Sequence, residues 1–303
     1  SIKRFIFSIK DFDGNPNNMK ECHEFYTNFF DKVEKSMNNT KYKYLIKNLF
    51  IGKICNVNTC TSCKHITYRF EDFKDLTLEV NDLNDIYESL DKYISNEKIE
   101  DYFCSNCNQT VDLNKATLIA NLPNILIIHL NRIKMNMVDG NFEKIYSKFT
   151  FPAELNLKKY CIEEKIEKST NIYKKKDVYY EYKLKGVNIH SGNVEGGHYI
   201  SIIKVDKDKW YQFDDNKVKE FDIKNLGKEC FGGKEEENNN KDKKNSAYLL
   251  FYELSKKKPI KILLDENKID KNRKDTIEYN NKNSEEIENE YDITKLENGK
   301  DEK

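Results

Sequence analysis

Two groups of residues in this 303-residue chain have types and spacings that suit chemistry. The first is sulfur: four of the eight cysteines form two Cys-x-x-Cys pairs, Cys60/Cys63 and Cys104/Cys107. Each pair puts two thiolates on one tight turn, and two such turns supply the four donors of a tetrahedral structural zinc site. Two disulfides or free thiols are the alternative on spacing alone. About 40 residues separate the pairs, against roughly 15 to 20 in a compact ribbon, so the ribbon must carry an excursion. His65 sits close enough to substitute as a ligand, but four cysteines complete the shell and His65 is read as structural. Cys22, Cys55, Cys161 and Cys230 stand singly and are read as packed thiols.

The second group is Gly196-Gly197-His198-Tyr199-Ile200-Ser201, followed by Trp210-Tyr211-Gln212-Phe213-Asp214-Asp215. If 198–205 and 209–213 are the arms of a hairpin turning at Asp206-Lys207-Asp208, Asp214 lies roughly opposite Ile200 and within side-chain reach of His198. An imidazole oriented by a carboxylate is two thirds of a nucleophilic triad: the ring takes the nucleophile's proton, and the carboxylate fixes the tautomer. Two glycines just before the histidine would let an extended substrate backbone approach closely. A surface histidine beside aspartates is the plainer alternative.

The elements that must carry these groups are mixed. Apolar residues at helical spacing predict a helix over 22–37, a shorter one over 42–50 and another over 83–94, the last inside the cysteine excursion. The stretch 66–80 alternates and reads as extended. Strands are predicted over 118–122, 125–130, 180–190, 198–205, 209–213 and 247–254. Helices first and a later, largely antiparallel sheet give an α+β fold. His129, in the strand over 125–130, is read as a satisfied core histidine. Cys22 is read as a core residue, since neighbours on a helix do not face one another and His23 cannot activate it by adjacency.

Composition narrows the class. Lys plus Arg and Asp plus Glu both number 52, for zero net charge, so no global basic field draws the chain to nucleic acid. No Lys/Arg stripe flanks the cysteines, which argues against a zinc-ribbon nucleic-acid reader. No apolar run approaches the ~20 residues needed to span a bilayer, and Ser1-Ile2-Lys3-Arg4-Phe5 has no apolar secretory core. Paired Cys-x-x-Cys motifs without a leader predict a cytoplasmic or nuclear protein. The mean hydropathy of −0.85 reflects a charged stretch over 255–303, expected to be a disordered tail. Polar inserts are expected near 163–177 and 229–245. The start on Ser1, without an initiator methionine, is read as a piece of a longer chain.

Taken in order, the motifs resemble the ubiquitin-specific proteases, papain-like cysteine enzymes. Gly197-His198-Tyr199-Ile200-Ser201, Trp210-Tyr211-x-Phe213-Asp214-Asp215 and Ala247-Tyr248-Leu249-Leu250-Phe251-Tyr252 look like that family's closing signature. Leu122-Pro123-Asn124 through His129-Leu130-Asn131-Arg132, Phe151-Pro152 and His190-Ser191-Gly192 are similar to its middle motifs. Cys60-x-x-Cys63 with the run after Glu71 resembles its zinc-bearing fingers, and the likeness covers roughly residues 19 to 254. It implies a thumb remnant over 1–50, fingers over 51–116, a palm over 117–254, and a thumb otherwise truncated.

The resemblance also implies roles. His198 would be the general base, Asp214 its orienting partner and Asp215 a neighbouring helper. His190, Gly196, Gly197 and Tyr199 would flank the channel for a ubiquitin C-terminal tail. Cys60, Cys63, Cys104 and Cys107 would hold structural zinc, and the partners would be ubiquitin and ubiquitinated proteins, with no nucleic acid and no membrane. The departure is at Met19-Lys20-Glu21-Cys22-His23-Glu24-Phe25, where the family has a Gln-Gln-Asp-Ala box preceded, some tens of residues earlier, by the nucleophilic cysteine. No cysteine precedes Met19. The nucleophile is therefore expected upstream of residue 1, unless the protein is a ubiquitin-binding pseudo-protease.

Overall fold

The computed structural model describes residues 21–166, 176–234 and 242–260. Most of the expected tail, the middle of the insert near 163–177 and residues 235–241 of the insert near 229–245 lie outside the described residues. Two helices open the described chain, α1 (Cys22–Met37) and α2 (Leu45–Phe50). A four-stranded sheet follows from β1 (Gly52–Cys60), β2 (Ile66–Phe73), β4 (Glu97–Cys104) and β5 (Gln109–Asn121), in the order β2-β1-β5-β4.

Eight strands make the larger sheet. They are β3 (Leu76–Glu79), β6 (Ile125–Asn131), β9 (Glu154–Asn156), β10 (Glu181–Gly192), β11 (Gly197–Lys204), β12 (Trp210–Asp214), β13 (Lys217–Phe221) and β14 (Asn245–Leu254). Its order is β13-β12-β11-β10-β14-β6-β3, with β9 paired to β10. The pairings are antiparallel except β3 with β6, a parallel pair that needs a long crossover. That crossover holds α3 (Ile86–Tyr93), β4 and β5. A separate hairpin, β7 (Ile133–Met135) with β8 (Phe142–Lys144), and the short helices α4 (Ile162–Ile166) and α5 (Leu226–Cys230) complete the elements used below.

Strand β10 organises the core. Tyr182 and Leu184 point inward, a bulge between Leu184 and Gly186 shifts the phase, and Val187 and Ile189 then point inward instead. They pack with Leu76, Leu78, Leu126, Ile128, Leu250 and the α3 residues Ile86 and Leu90. Two segments between the cysteine pairs, β3 and α3, thus belong to the core of the larger sheet, although the sequence places 51–116 in the fingers.

Several predicted elements have different bounds. The extended run over 66–80 breaks at Lys74-Asp75, and the helix over 42–50 begins only at Leu45. The strand expected over 118–122 is the far end of the 13-residue β5. Strands β1, β4, β7, β8, β9 and β13 have no counterpart in the sequence reading.

The break at Lys74-Asp75 anchors α1. Lys74 pairs with Asp31, while Tyr26 Oη donates to the Asp75 carboxylate and His23 Nε2 lies 3.2 Å from Asp75 Oδ1. The Glu21 carboxylate caps the helix by accepting from the His23 and Glu24 amides. On its inner side Tyr26 and Phe30 pack on Ile127, Tyr248 and Leu249. His129 is less satisfied than expected: Nδ1 meets Thr77 Oγ1 at 3.3 Å and the ring stacks on His23 at 4.2 Å, but Nε2 is buried with no partner.

The hydrogen bond to Asp75 raises His23 above the ordinary imidazole value, against the opposing effect of burial. For Asp75 burial raises the carboxyl, yet the bonds from His23 and Tyr26 outweigh it and hold it low. His129 is pushed down to about 4 by burial and by His23, so it stays neutral beside a charged His23. A raised histidine stabilises fully below its ordinary ~6.5 and loses that contribution as pH rises through the raised value; a lowered carboxyl contributes above its ordinary ~3.9. The pair is therefore strongest between about pH 4 and 6.5. Asp75→Asn is expected to cost about 1–3 kcal/mol there, with the gap to the parent narrowing toward pH 8, as read from melting curves against pH. A gap that does not change with pH would contradict this account.

Candidate active site and metal centre

The ladder of β10, β11 and β12 builds the first site. Ser201 pairs with Phe213 and Lys204 with Trp210, so the register continues to place Asp214 opposite Ile200, as the hairpin argument required. On the other edge His198 pairs with Ser191 and Tyr199 with His190. His198 and Asp214 then sit diagonally on one face of neighbouring strands, a spacing that long side chains bridge. His198 Nε2 lies 2.6 Å from Asp214 Oδ1. A carboxylate only accepts, so neutral His198 carries its proton on Nε2 and leaves Nδ1 as the base.

Asp215 follows in the turn to β13 with φ 51°, a left-handed conformation that aspartate tolerates. The ligand atoms of His198, Asp214 and Asp215 all lie within 4.8 Å of one another. The His198 side chain is 46% exposed, at the mouth of a cleft of about 480 Å³. The predicted residues His190, Gly196, Gly197 and Tyr199 line that cleft with Tyr248 and Glu21.

These lining residues are held tightly. The Cys22 amide donates to Tyr199 Oη at 3.4 Å, tying the start of α1 to β11. The His190 ring lies 5.0 Å from that of Tyr199, and burial, helped by Lys144, pushes His190 down to about 4, so it is neutral. The fold itself requires glycine at 197: a Cβ there would lie 2.3 Å from His190 Nε2 and 2.4 Å from Ser191 O. The ladder itself forbids a side chain.

Two cations that the sequence reading did not assign form the back wall. Arg132, 1% exposed, donates to the carbonyls of Ala247, Ile145, Ser147 and Phe231. Lys144, 9% exposed, donates to three more. Arg132 stood inside a recognised motif, whereas nothing in the pattern around Lys144 separates it from a solvated lysine.

The second site is sulfur. Strand β5 lies between β1 and β4, pairing Cys60 with Leu113 and Cys104 with Gln109, and so brings the two cysteine turns to one end of the smaller sheet. Each turn is followed by a left-handed residue, Lys64 at φ 61° and Asn108 at φ 53°. The four sulfurs lie within 4.8 Å of one another, Cys63 and Cys104 at 3.8 Å, and none is bonded to another. That excludes the disulfide alternative and matches the S···S edge of about 3.8 Å expected from a tetrahedron with ~2.3 Å metal–sulfur bonds. Asn106 Nδ2 donates to Cys63 Sγ at 3.4 Å, an orienting contact at the rim. Four such thiols suit a metal ion.

The single cysteines are elsewhere. Cys55, Cys161 and Cys230 are buried, and burial pushes Cys22 up to about 12, so it is a thiol and not a thiolate at neutral pH. Among the described residues, no cysteine joins the His198 cluster.

Comparison with known proteins extends this geometry. The chain is 34% identical over 268 residues to ubiquitin carboxyl-terminal hydrolase 34 of Mus musculus, covering 79% of this chain and 7% of that protein. It is 28% identical to ubiquitin carboxyl-terminal hydrolase 8 of Saccharomyces cerevisiae, covering 78% of this chain and 49% of the relative. The chain therefore spans about half or less of these relatives. Among solved structures it is similar to the SAGA Ubp8/Sgf11/Sus1/Sgf73 DUB module bound to ubiquitin aldehyde, with a TM-score of 0.68 and 26% identity over 85% of this chain and 54% of that one. The family model described as ubiquitin carboxyl-terminal hydrolase matches residues 3–252, most of the sequence, and the protein belongs to that family.

Proposed function

We propose that this chain supplies the palm and fingers of a thiol protease that cleaves the peptide or isopeptide bond after the C-terminal glycine of ubiquitin. The observation that carries the reading is the 2.6 Å contact from His198 Nε2 to Asp214 at the mouth of a cleft. Nδ1 takes the proton of a cysteine thiol, and the thiolate attacks the scissile carbonyl. The imidazolium, stabilised by Asp214, returns the proton to the leaving lysine or α-amine as the acyl-enzyme forms. The same nitrogen then activates the water that frees the ubiquitin carboxylate. Asp215 stands beside the pair, positioned to orient that water. The nucleophile of this reading lies N-terminal to Ser1.

The four cysteines at the end of the smaller sheet fit zinc, by softness of the donors and by their spacing. When bound, the ion cross-links the two turns, a structural role apart from the hydrolysis. The partners in this reading are ubiquitin and ubiquitinated proteins, engaged by the cleft and the fingers. One observation favours a second reading, a ubiquitin-binding module without catalysis: the group of His198, Asp214 and Asp215 includes none of the eight cysteines.

The complete gene product, mixed with ubiquitin bearing a C-terminal electrophile, is expected to form an adduct on a cysteine preceding Ser1. Ubiquitin binding without any adduct selects the non-catalytic module. The 303-residue chain is expected to form none, and an adduct on Cys22 would overturn its assignment as a packed thiol. In the complete protein His198→Ala is expected to lower kcat by roughly 10²–10⁴, measured on a ubiquitin–fluorophore substrate.

Metal analysis is expected to find one zinc per chain, lost in Cys104→Ser together with order in the smaller sheet. A folded, metal-free protein would refute the zinc assignment.

A further inference from the structure

We propose that Lys144 is a positioning residue for His198, acting through the backbone and not through the substrate; the catalytic sense of this rests on the function proposed above. Lys144 closes β8, and its Nζ donates to the carbonyls of His190 at 3.0 Å, Gly192 at 3.1 Å and Lys244 at 2.9 Å. An ammonium has three N–H donors, so all three are spent on main chain and none remains for a bound tail.

The acceptors are the end of β10, which pairs with the strand of His198, and the residue that leads into β14, the next strand beyond β10. Gly192 is fixed from several sides. Its amide donates to Lys244 O, and Tyr146 Oη donates to its carbonyl at 3.2 Å. With φ 141°, a Cβ on it would lie 2.4 Å from Gly196 O. Gly192 pairs with Gly197 and Ser191 with His198, so a shift of the three carbonyls shifts the backbone under the imidazole directly.

Among the described residues no carboxylate pairs with the charge. The groups facing it are the Arg132 guanidinium in the same wall, the Tyr146 ring at 5.2 Å, neutral His190 and, across the cleft, Glu21. An aliphatic residue of the same length would take one donor from each of three carbonyls of a cleft wall; Gly192 O would keep Tyr146 Oη and Lys244 O the Gly192 amide, but the one group that ties all three together would be gone. The cation therefore adds a side-chain knot where the β10–β14 ladder runs out, past Ser191 and Asn245. Displacing a base by as little as 1 Å lowers rates by up to about 10²-fold.

The test is made first on the 303-residue chain. The ¹⁵N spectra of its five histidine rings are expected to show neutral His198 as the Nε2–H tautomer. In Lys144→Met that signature is expected to give way to a mixture, while His23 and His129 and the far-UV circular dichroism stay as in the parent. If Lys144→Met does not fold, Lys144→Gln, which keeps two donors without the charge, is read in the same way. In the complete protein, Lys144→Met is expected to lower kcat by at least about tenfold with KM within about threefold. An unchanged His198 tautomer, or a rise in KM with kcat intact, would overturn the proposal and make Lys144 a substrate contact. Absence of any ubiquitin hydrolysis by the complete protein would instead count against the proposed function, leaving the tautomer measurement to decide on Lys144.

Discussion

The register between β11 and β12 is the constraint on which the site depends. His198 and Asp214 come from strands that pair antiparallel, and only because Ser201 faces Phe213 do the imidazole and carboxylate stand on one face two residues apart. A slip of one residue would send every side chain of β11 to the opposite face. The core holds the register: Ile202, Trp210 and Phe221 are inward residues of the three outer strands and are all buried. The hydrophobic pattern that stabilises the palm is thus the same pattern that aims the histidine. Because His198 itself lies at the open end of its strand, its orientation rests on the strands inward of it, β10 and β14.

Around the end of β10 and the start of β14 the molecule adds cations to the ladder. Arg132 collects four carbonyls and Lys144 three, with no carboxylate paired to either among the described residues. Carbonyl oxygens offer hydrogen bonds without a full countercharge, so burial lowers Arg132 to about 10 and Lys144 to about 8. Carbonyl ligation holds the wall together and keeps the Lys144 charge beside His190, which burial and that charge hold neutral.

The catalytic-type hairpin was legible because two periodic strands flank a short Asp-Lys-Asp turn, and that arithmetic fixes which residues face each other. The cysteine centre was legible because spacing alone makes the two tight turns. What stayed hidden was strand content that carries no alternation: seven of the eight residues of β4 are exposed, and β1 holds Asn56, Asn58 and Thr59 among its apolar residues. Their pairing comes from β5 lying between them, a long-range fact. The break at Lys74-Asp75 was equally invisible, since its partners are on α1, some fifty residues earlier for Asp75. Lys144 reads in sequence as one more surface lysine, and only the folded carbonyls reveal it. For Gly197 the fold adds a constraint that the sequence does not display, because the His190 ring that excludes a side chain lies across the ladder.

The long gap between the cysteine pairs acquires a mechanical sense from the topology. After β2 the chain leaves the smaller sheet, lays β3 parallel to β6, packs Ile86 and Leu90 of α3 into the larger core, and only then returns as β4. Joining the four sulfurs therefore closes a loop that runs through the palm, and the entropy of that closure is already met by the buried crossover. The base of the fingers is equally fixed. Gly52, where β1 begins, would bring a Cβ to 2.3 Å from the Phe73 ring and 2.8 Å from Asn121 O, so β1, β2 and β5 meet there with no room to spare. A glycine at such a place is a packing residue and not a hinge.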